Sequence, residues 1–111
     1  MQTQLDAYNR KDLEGWLATY AADAQQYEFP ATLLASGHEA IRARTAPRFL
    51  EPDLHAALIK RSVMGEVVID HEEVTRNFPE GKGSIELVCI YRVREGKITE
   101  ASFVFGEKKL S

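Results

Sequence analysis

The sequence predicts an α+β domain, with helices first and a mostly antiparallel sheet afterward. Two observations carry this. Up to about residue 49 the apolar residues recur at helical spacing, broken by polar punctuation. From Leu54 onward, runs rich in Val, Ile, Phe and Tyr are separated by short turn signals. A chain of 111 residues suffices for one domain with one modest core, so residues 1–111 are read as a single domain.

Residues 2–9 read as a short helix carrying Leu5 and Tyr8 on one side. Asn9-Arg10-Lys11 interrupts it, and Asp12 can cap a second helix. There Leu13, Trp16, Leu17 and Tyr20 fall at i, i+3, i+4 and i+7, an amphipathic stripe that Gly15 weakens slightly. Residues 24–29 read as a short strand ended by Pro30. Ser36-Gly37-His38-Glu39 has capping-box spacing and opens a third helix carrying Ala40, Ile41, Thr45 and Phe49. Pro47 should kink or end that helix near Ala46.

Four strands are expected at 55–63, 66–78, 84–94 and 97–105. Met64-Gly65, Pro79 to Gly83 and Glu95-Gly96 lie between them, and such short turns imply antiparallel hairpins. In the third of these strands Ile85, Leu87, Cys89, Tyr91 and Val93 share one face, which should meet the helices. The other face, with Val88 and Ile90 among charges, is more apolar than water requires. A homodimer through the sheet face is expected.

The charge balance narrows the function classes. Apolar residues make up 44% and charged residues 28%, with a formal charge of -3 and no long run of either sign. No footprint for nucleic acid follows. The densest basic group, Arg42, Arg44, Arg48, Lys60 and Arg61, reads as a solvated face. MQTQLDAYNRKD has no apolar run, so no signal peptide is expected, and no segment has the length of a membrane span. Cys89 is the only cysteine, which fits a reducing compartment and a cytoplasmic location. His38, His55 and His71 show no metal-ligand spacing, and no phosphate-binding loop, nucleophile elbow or dinucleotide fingerprint is present. Neither a metal nor an organic cofactor is expected.

Tyr27-Glu28-Phe29-Pro30 is the stretch most suggestive of chemistry. In a strand Glu28 shares a face with Gln26, and Tyr27 with Phe29. If the aromatic pair faces the core, Glu28 faces water. His71 has the parity of Val67 and Ile69 and reads as inward. Asp70, Glu72 and Glu73 then form a solvated strand face. Trp16, Tyr20, Phe49, Tyr91, Phe103 and Phe105 are core aromatics that could also wall an apolar pocket.

The order of elements resembles the nuclear transport factor 2-like superfamily, which includes ketosteroid isomerases and SnoaL-like polyketide cyclases. The resemblance rests on Asp12-Leu13-Glu14-Gly15, Tyr20-Ala21-Ala22-Asp23-Ala24, Ser36 to Arg42, and Tyr91-Arg92-Val93 leading into Gly96-Lys97-Ile98. Phe105-Gly106-Glu107-Lys108 is similar to the C-terminal end of bacterial ketosteroid isomerases. It implies a cone-shaped fold, with three N-terminal helices packed on a strongly curved sheet.

The resemblance also implies roles. The isomerase base is an aspartate at the end of the first strand, and Glu28 falls on that position, with Gln26 and Glu28 lining the cone. The isomerases hold the enolate oxygen with a first-helix tyrosine and a protonated carboxylic acid. Here those positions fall on Gln4 and Cys89, weaker donors, and Tyr8 or Tyr20 could supply a phenol instead. The expected reaction is cofactor-free proton transfer on a small apolar carbonyl compound, with Glu28 as the base. Gln4, Tyr8, Trp16, Tyr20, Thr45, His71, Cys89, Tyr91, Phe103 and Phe105 would contact the ligand. The alternative is a non-catalytic module of the same fold that binds a small ligand or a protein partner.

Overall fold

A computed structural model describes residues 1–111. The elements are α1 (Gln2–Asn9), α2 (Leu13–Leu17), β1 (Tyr20–Glu28), β2 (Thr32–Ser36), α3 (Gly37–Thr45), a 3-10 helix (Ala46–Leu50), β3 (His55–Met64), β4 (Val67–Phe78), β5 (Gly81–Arg94) and β6 (Lys97–Leu110). The strands form one curved six-stranded sheet in the order β2-β1-β6-β5-β4-β3. Every pairing is antiparallel except β1 with β6. Register shifts at Gln26/Tyr27, Leu58/Lys60, Ile85/Leu87 and Arg92/Val93 bend the strands. The helices cover the concave side, with α1 against α2 and β3, and α3 against β1 and β2. No helix is long and apolar enough to cross a membrane.

Local chemistry explains most of the boundaries. Asp12 caps α2 by accepting from the Gly15 N–H at 3.0 Å. Pro47 stands in the 3-10 helix that takes over where α3 ends. Three expectations need correction. The stripe from Leu13 to Tyr20 is not one helix: α2 stops at Leu17, and Tyr20 opens β1, paired with Ile98. Ser36 precedes α3 without capping it, and its hydroxyl instead accepts from Gln25 Nε2 at 3.4 Å. Thr32–Ser36 forms an edge strand beside β1 that the sequence reading left out.

The inward face of β5 is as expected, with Cys89 and Tyr91 each 2% exposed. On β4 the parity is the reverse of the expectation. Val68, Asp70, Glu72 and Val74 are buried, while Ile69 is 38% exposed and His71 faces outward beside Glu86. Arg61 on β3 supplies the physical reason. It sits opposite Asp70 and donates to both its oxygens, at 2.7 and 2.9 Å. A charge neutralised by a two-pronged partner can face inward. The solvated-face reading of the basic group also fails in part, since Arg61 is spent on this ion pair and Arg44 and Arg48 turn toward the interior.

Candidate functional site

A cavity of about 80 Å³ lies between the helices and the concave side of the sheet. Leu5, Tyr8 and Trp16 close it from the helices, and Val74, Ile85, Leu87, Phe103 and Phe105 line it from the sheet. The aromatics interlock. Trp16 stands 4.9 Å from Tyr20 and 5.9 Å from Phe49, ring centre to ring centre, and Phe103 stacks on Phe105 at 6.1 Å. Such walls suit an apolar ligand body.

One acid projects into this apolar space. Glu72 is 6% exposed, and its carboxylate accepts only a long contact from the Cys89 thiol, 3.9 Å. Burial raises its pKa to about 7, the nearby charge of Asp70 adds to the rise, and Arg61 and the thiol oppose it. At neutral pH Glu72 therefore divides between acid and carboxylate. Cys89 is a thiol held far from ionisation by burial first and by Glu72 second. It is a donor here and no nucleophile.

Hydrogen-bond donors share the lining. Arg44 Nη1 donates to Gln26 Oε1 at 3.0 Å, which fixes the amide so that Gln26 Nε2 faces the Tyr20 hydroxyl at 3.4 Å. Tyr20 thus accepts from the amide and keeps its own proton to give. Burial pushes its pKa well above the ordinary phenol value, so the proton stays on. Two further polar atoms of the lining, Trp16 Nε1 and Gln4 Oε1, are buried without a hydrogen-bond partner in the chain. A buried N–H without a partner is costly, and a ligand oxygen would satisfy it. No group of His, Cys, Asp and Glu side chains converges in a way that could hold a metal ion.

The SnoaL-like domain family matches residues 1–101, nearly the whole chain. The chain belongs to the SnoaL-like family. The SnoaL-like fold is shared with solved structures at low identity. An uncharacterised cystatin-fold protein from Novosphingobium aromaticivorans superposes with a TM-score of 0.83 at 23% identity, over 93% of this chain and 92% of that one. A nuclear transport factor 2-like protein of unknown function from Burkholderia pseudomallei gives 0.79 at 17% identity, over 95% and 86%. A hypothetical protein from Catenulispora acidiphila with a ketosteroid isomerase-like fold, solved in complex with trimethylamine, gives 0.77 at 16% identity, over 95% and 83%. No curated protein matches the sequence. These likenesses establish the nuclear transport factor 2-like fold alone.

Within this SnoaL-like domain the cavity gathers Gln4, Tyr8, Trp16, Tyr20, Thr45, Cys89, Tyr91, Phe103 and Phe105. His71, expected among them, stands on the other side of the sheet. Glu28, expected as the base, is exposed and outside the lining. It does share the cavity-side parity of Gln26, because Gln26 and Glu28 sit opposite Ala101 and Phe103 on β6. It is the last residue of β1, where the strand has become exposed. Tyr27 is half-buried and Phe29 is 55% exposed, so the aromatic pair is not core either.

The sequence reading missed Glu72, Arg44, Arg48 and Arg76 as lining residues. For Arg44 and Arg48 a signal existed. Arg44 lies in the last turn of α3, whose Ile41 and Thr45 are inward, and Arg48 follows four residues on in the 3-10 helix beside the buried Phe49. For Glu72 the sequence held no comparable sign, since its inward turn depends on Arg61 from another strand.

Proposed function

We propose that the cavity binds a small carbonyl compound with an apolar body and that Glu72 moves a proton on it without a cofactor. The observation that carries this is a single carboxyl, poised near neutrality, in a mostly apolar lining that also holds hydrogen-bond donors. Ionised Glu72 would take a proton from the carbon beside the carbonyl. The enolate oxygen would receive hydrogen bonds from the Tyr20 hydroxyl and Trp16 Nε1. The protonated Glu72 would then deliver a proton to a carbon: return to the same carbon after the carboxyl has traded its proton with solvent gives exchange, and delivery to a conjugated carbon gives isomerisation. Glu72 in this scheme takes the place that the family resemblance gave to Glu28.

The test is proton exchange on cyclohexanone in D2O, followed by NMR. The protein should speed loss of the signal beside the ketone, and Glu72→Gln should abolish the acceleration. Wild-type protein that gives no acceleration, or a Glu72→Gln variant as active as wild type, would overturn the reading.

We also propose that two copies pair through the outer sheet face. Ile69, Ile90, Val88 and Val104 are cross-strand neighbours there, with Ile69 and Val104 38% and 41% exposed. Glu86, Arg92 and Glu100 flank them on the same face. A patch edged by both charge signs can be complementary to itself across a two-fold axis.

A further inference from the structure

The cavity lining carries two arginines that form no ion pair with a carboxylate of the chain. The sequence has eight arginines. Six hold a carboxylate: Arg10 with Asp12, Arg42 with Glu14 and Glu39, Arg61 with Asp70, Arg76 with Glu51, Arg92 with Glu100 and Arg94 with Glu66. The two without such a partner are Arg44 and Arg48, and both line the cavity. Arg76 also lines it, but Glu51 occupies its Nε and Nη2 at 2.9 and 2.8 Å.

Arg44 is the more informative of the two. It leaves the last turn of α3 and stacks over Phe103, with its guanidinium carbon 5.6 Å from the ring centre. Of its five N–H donors, one is spent on Gln26. Burial weakens its hold on its proton, and the charge of Arg48 adds to that, with Glu28 acting weakly in the other direction. Two like charges, half-buried side by side, are unfavourable until an anion lies between them. In a chain of formal charge -3, with other arginines paired, this local excess is not a general surface property.

We propose that the ligand of this cavity is an amphipathic carboxylate, with its apolar body against Phe103 and Phe105 and its carboxylate between the guanidiniums of Arg44 and Arg48. A carboxylate matches the flat fork of a guanidinium, and the stacked Phe103 places an apolar body directly beneath that fork. The Tyr8 hydroxyl borders Arg48 and completes the polar side of the mouth. The inference rests on the reading of the cavity as a ligand site and adds the charge of what enters it. With the carboxylate held at the mouth, the rest of the molecule points inward toward Glu72.

Benzoate and benzamide have the same shape and differ in charge, so they make a matched pair. Binding is read from the fluorescence of Trp16, the only tryptophan and a lining residue. Wild-type protein should hold benzoate about tenfold or more tighter than benzamide, the worth of a charge-assisted hydrogen bond. Arg44→Gln and Arg48→Gln should each remove most of that preference. Arg48→Lys should keep part of it, because it keeps the charge and loses the fork. Equal affinity for the two probes, binding of neither, or an undiminished preference in both Gln variants would each overturn the proposal. The outcome separates cleanly from that of the ketone exchange. Wild-type protein that prefers benzoate and does not speed exchange sinks only the proton-transfer reading. Wild-type protein that speeds exchange and shows no preference sinks only this one.

Discussion

Asp70 and Glu72 are two residues apart on one face of β4, and only Asp70 has a cation. Arg61 donates to both oxygens of Asp70, while Glu72 meets only the Cys89 thiol. The first arrangement is structural: a completely buried charge held by a two-pronged partner. The second leaves an acid that burial drives toward its neutral form. A strand that places both inward thus leaves one carboxyl group ion-paired and the other without a cation, set by the reach of one arginine.

The first prediction concerns stability against pH. Folding raises the pKa of Glu72 from 4.5 to about 7, so the folded state binds this proton more tightly than the unfolded chain. Its contribution is fully present below pH 4.5, falls as pH rises through that window, and is lost above about 7. The gap between the two values corresponds to roughly 3 kcal/mol, at about 1.36 kcal/mol per pH unit. Glu72→Gln keeps the shape and removes the titration. Relative to the variant, wild-type protein should lose stability between pH 5 and pH 7 and then run parallel to it. Urea midpoints at half-unit steps would show this, and two curves parallel throughout would mean that Glu72 is solvated.

A second prediction follows from the donor wall. Tyr20 accepts from Gln26, which leaves its own proton free to donate. Tyr20→Phe should lower the rate of ketone exchange by about a hundredfold, as loss of one well-placed oxyanion donor does. Trp16→Phe should also slow exchange while it retains much of the aromatic packing with Tyr8 and Phe49. The measurement is the exchange rate at saturating ketone. A fall confined to affinity, with the saturated rate intact, would show that these groups hold the ligand equally before and during the reaction.

The limits of sequence reading can be placed on particular residues. The hairpins from His55 to the C-terminus were legible because period-two alternation and Gly-containing turns act locally. The inward face of β5 was legible for the same reason, since Ile85, Leu87, Cys89, Tyr91 and Val93 alternate with Glu86 and Arg92. On β4, Val67, Val68, Ile69 and Val74 put aliphatic residues on both faces, so alternation alone cannot choose between them. The rule that charges face water then selects the wrong face, and only the pairing of Arg61 with Asp70 corrects it. Tyr20 shows the same limit. Its spacing from Leu13 continues a helical stripe, but the backbone there is taken by β6, with Ile98 N–H donating to Thr19 O at 2.9 Å. Long-range pairing decided both cases, and a linear pattern does not carry it.

A third prediction uses Glu51. Its carboxylate takes Arg76 Nε and Nη2 and the Asn77 N–H, all within 2.9 Å. Burial alone would raise its pKa, but these donors outweigh it and hold the group below its ordinary value. Glu51→Gln should cost about 2 kcal/mol, because the half-buried Arg76 loses its counter-charge. It should also leave a third unpaired guanidinium on the cavity wall. Benzoate affinity should therefore rise while stability falls. Opposed changes of that kind are hard to obtain from general loosening of the fold, which would lower both. A drop in benzoate affinity would show that Arg76 does not face the site where the anion sits.

The fourth prediction concerns the outer sheet face. Ile90 lies between Ile69 and Ser102 in the ladder, at the middle of the apolar patch. Ile90→Glu should convert a dimer into a monomer, as read by light scattering on a sizing column. Ile90 lies on the face of β5 opposite Cys89 and Tyr91, so the domain should stay folded by circular dichroism. A wild-type protein that is monomeric at high micromolar concentration would remove the proposal of pairing through this face.

The last prediction separates the two carboxylates that compete for the catalytic role. Glu28 is exposed at the end of β1, outside the cavity, while Glu72 is buried within it. Glu28→Gln should therefore leave ketone exchange at the wild-type rate. Its effect should fall instead on the mouth, because Glu28 is the acid whose charge reaches Arg44. Removing that charge leaves Arg44 with a stronger demand for an anion, so benzoate should bind a few-fold tighter, the scale of a screened surface interaction of up to about 1 kcal/mol. Benzamide, with no charge to offer, should not change. Raising the salt concentration should shrink the gain, since Glu28 is exposed to solvent. Exchange abolished by Glu28→Gln and untouched by Glu72→Gln would reverse the assignment and return the base to the strand end.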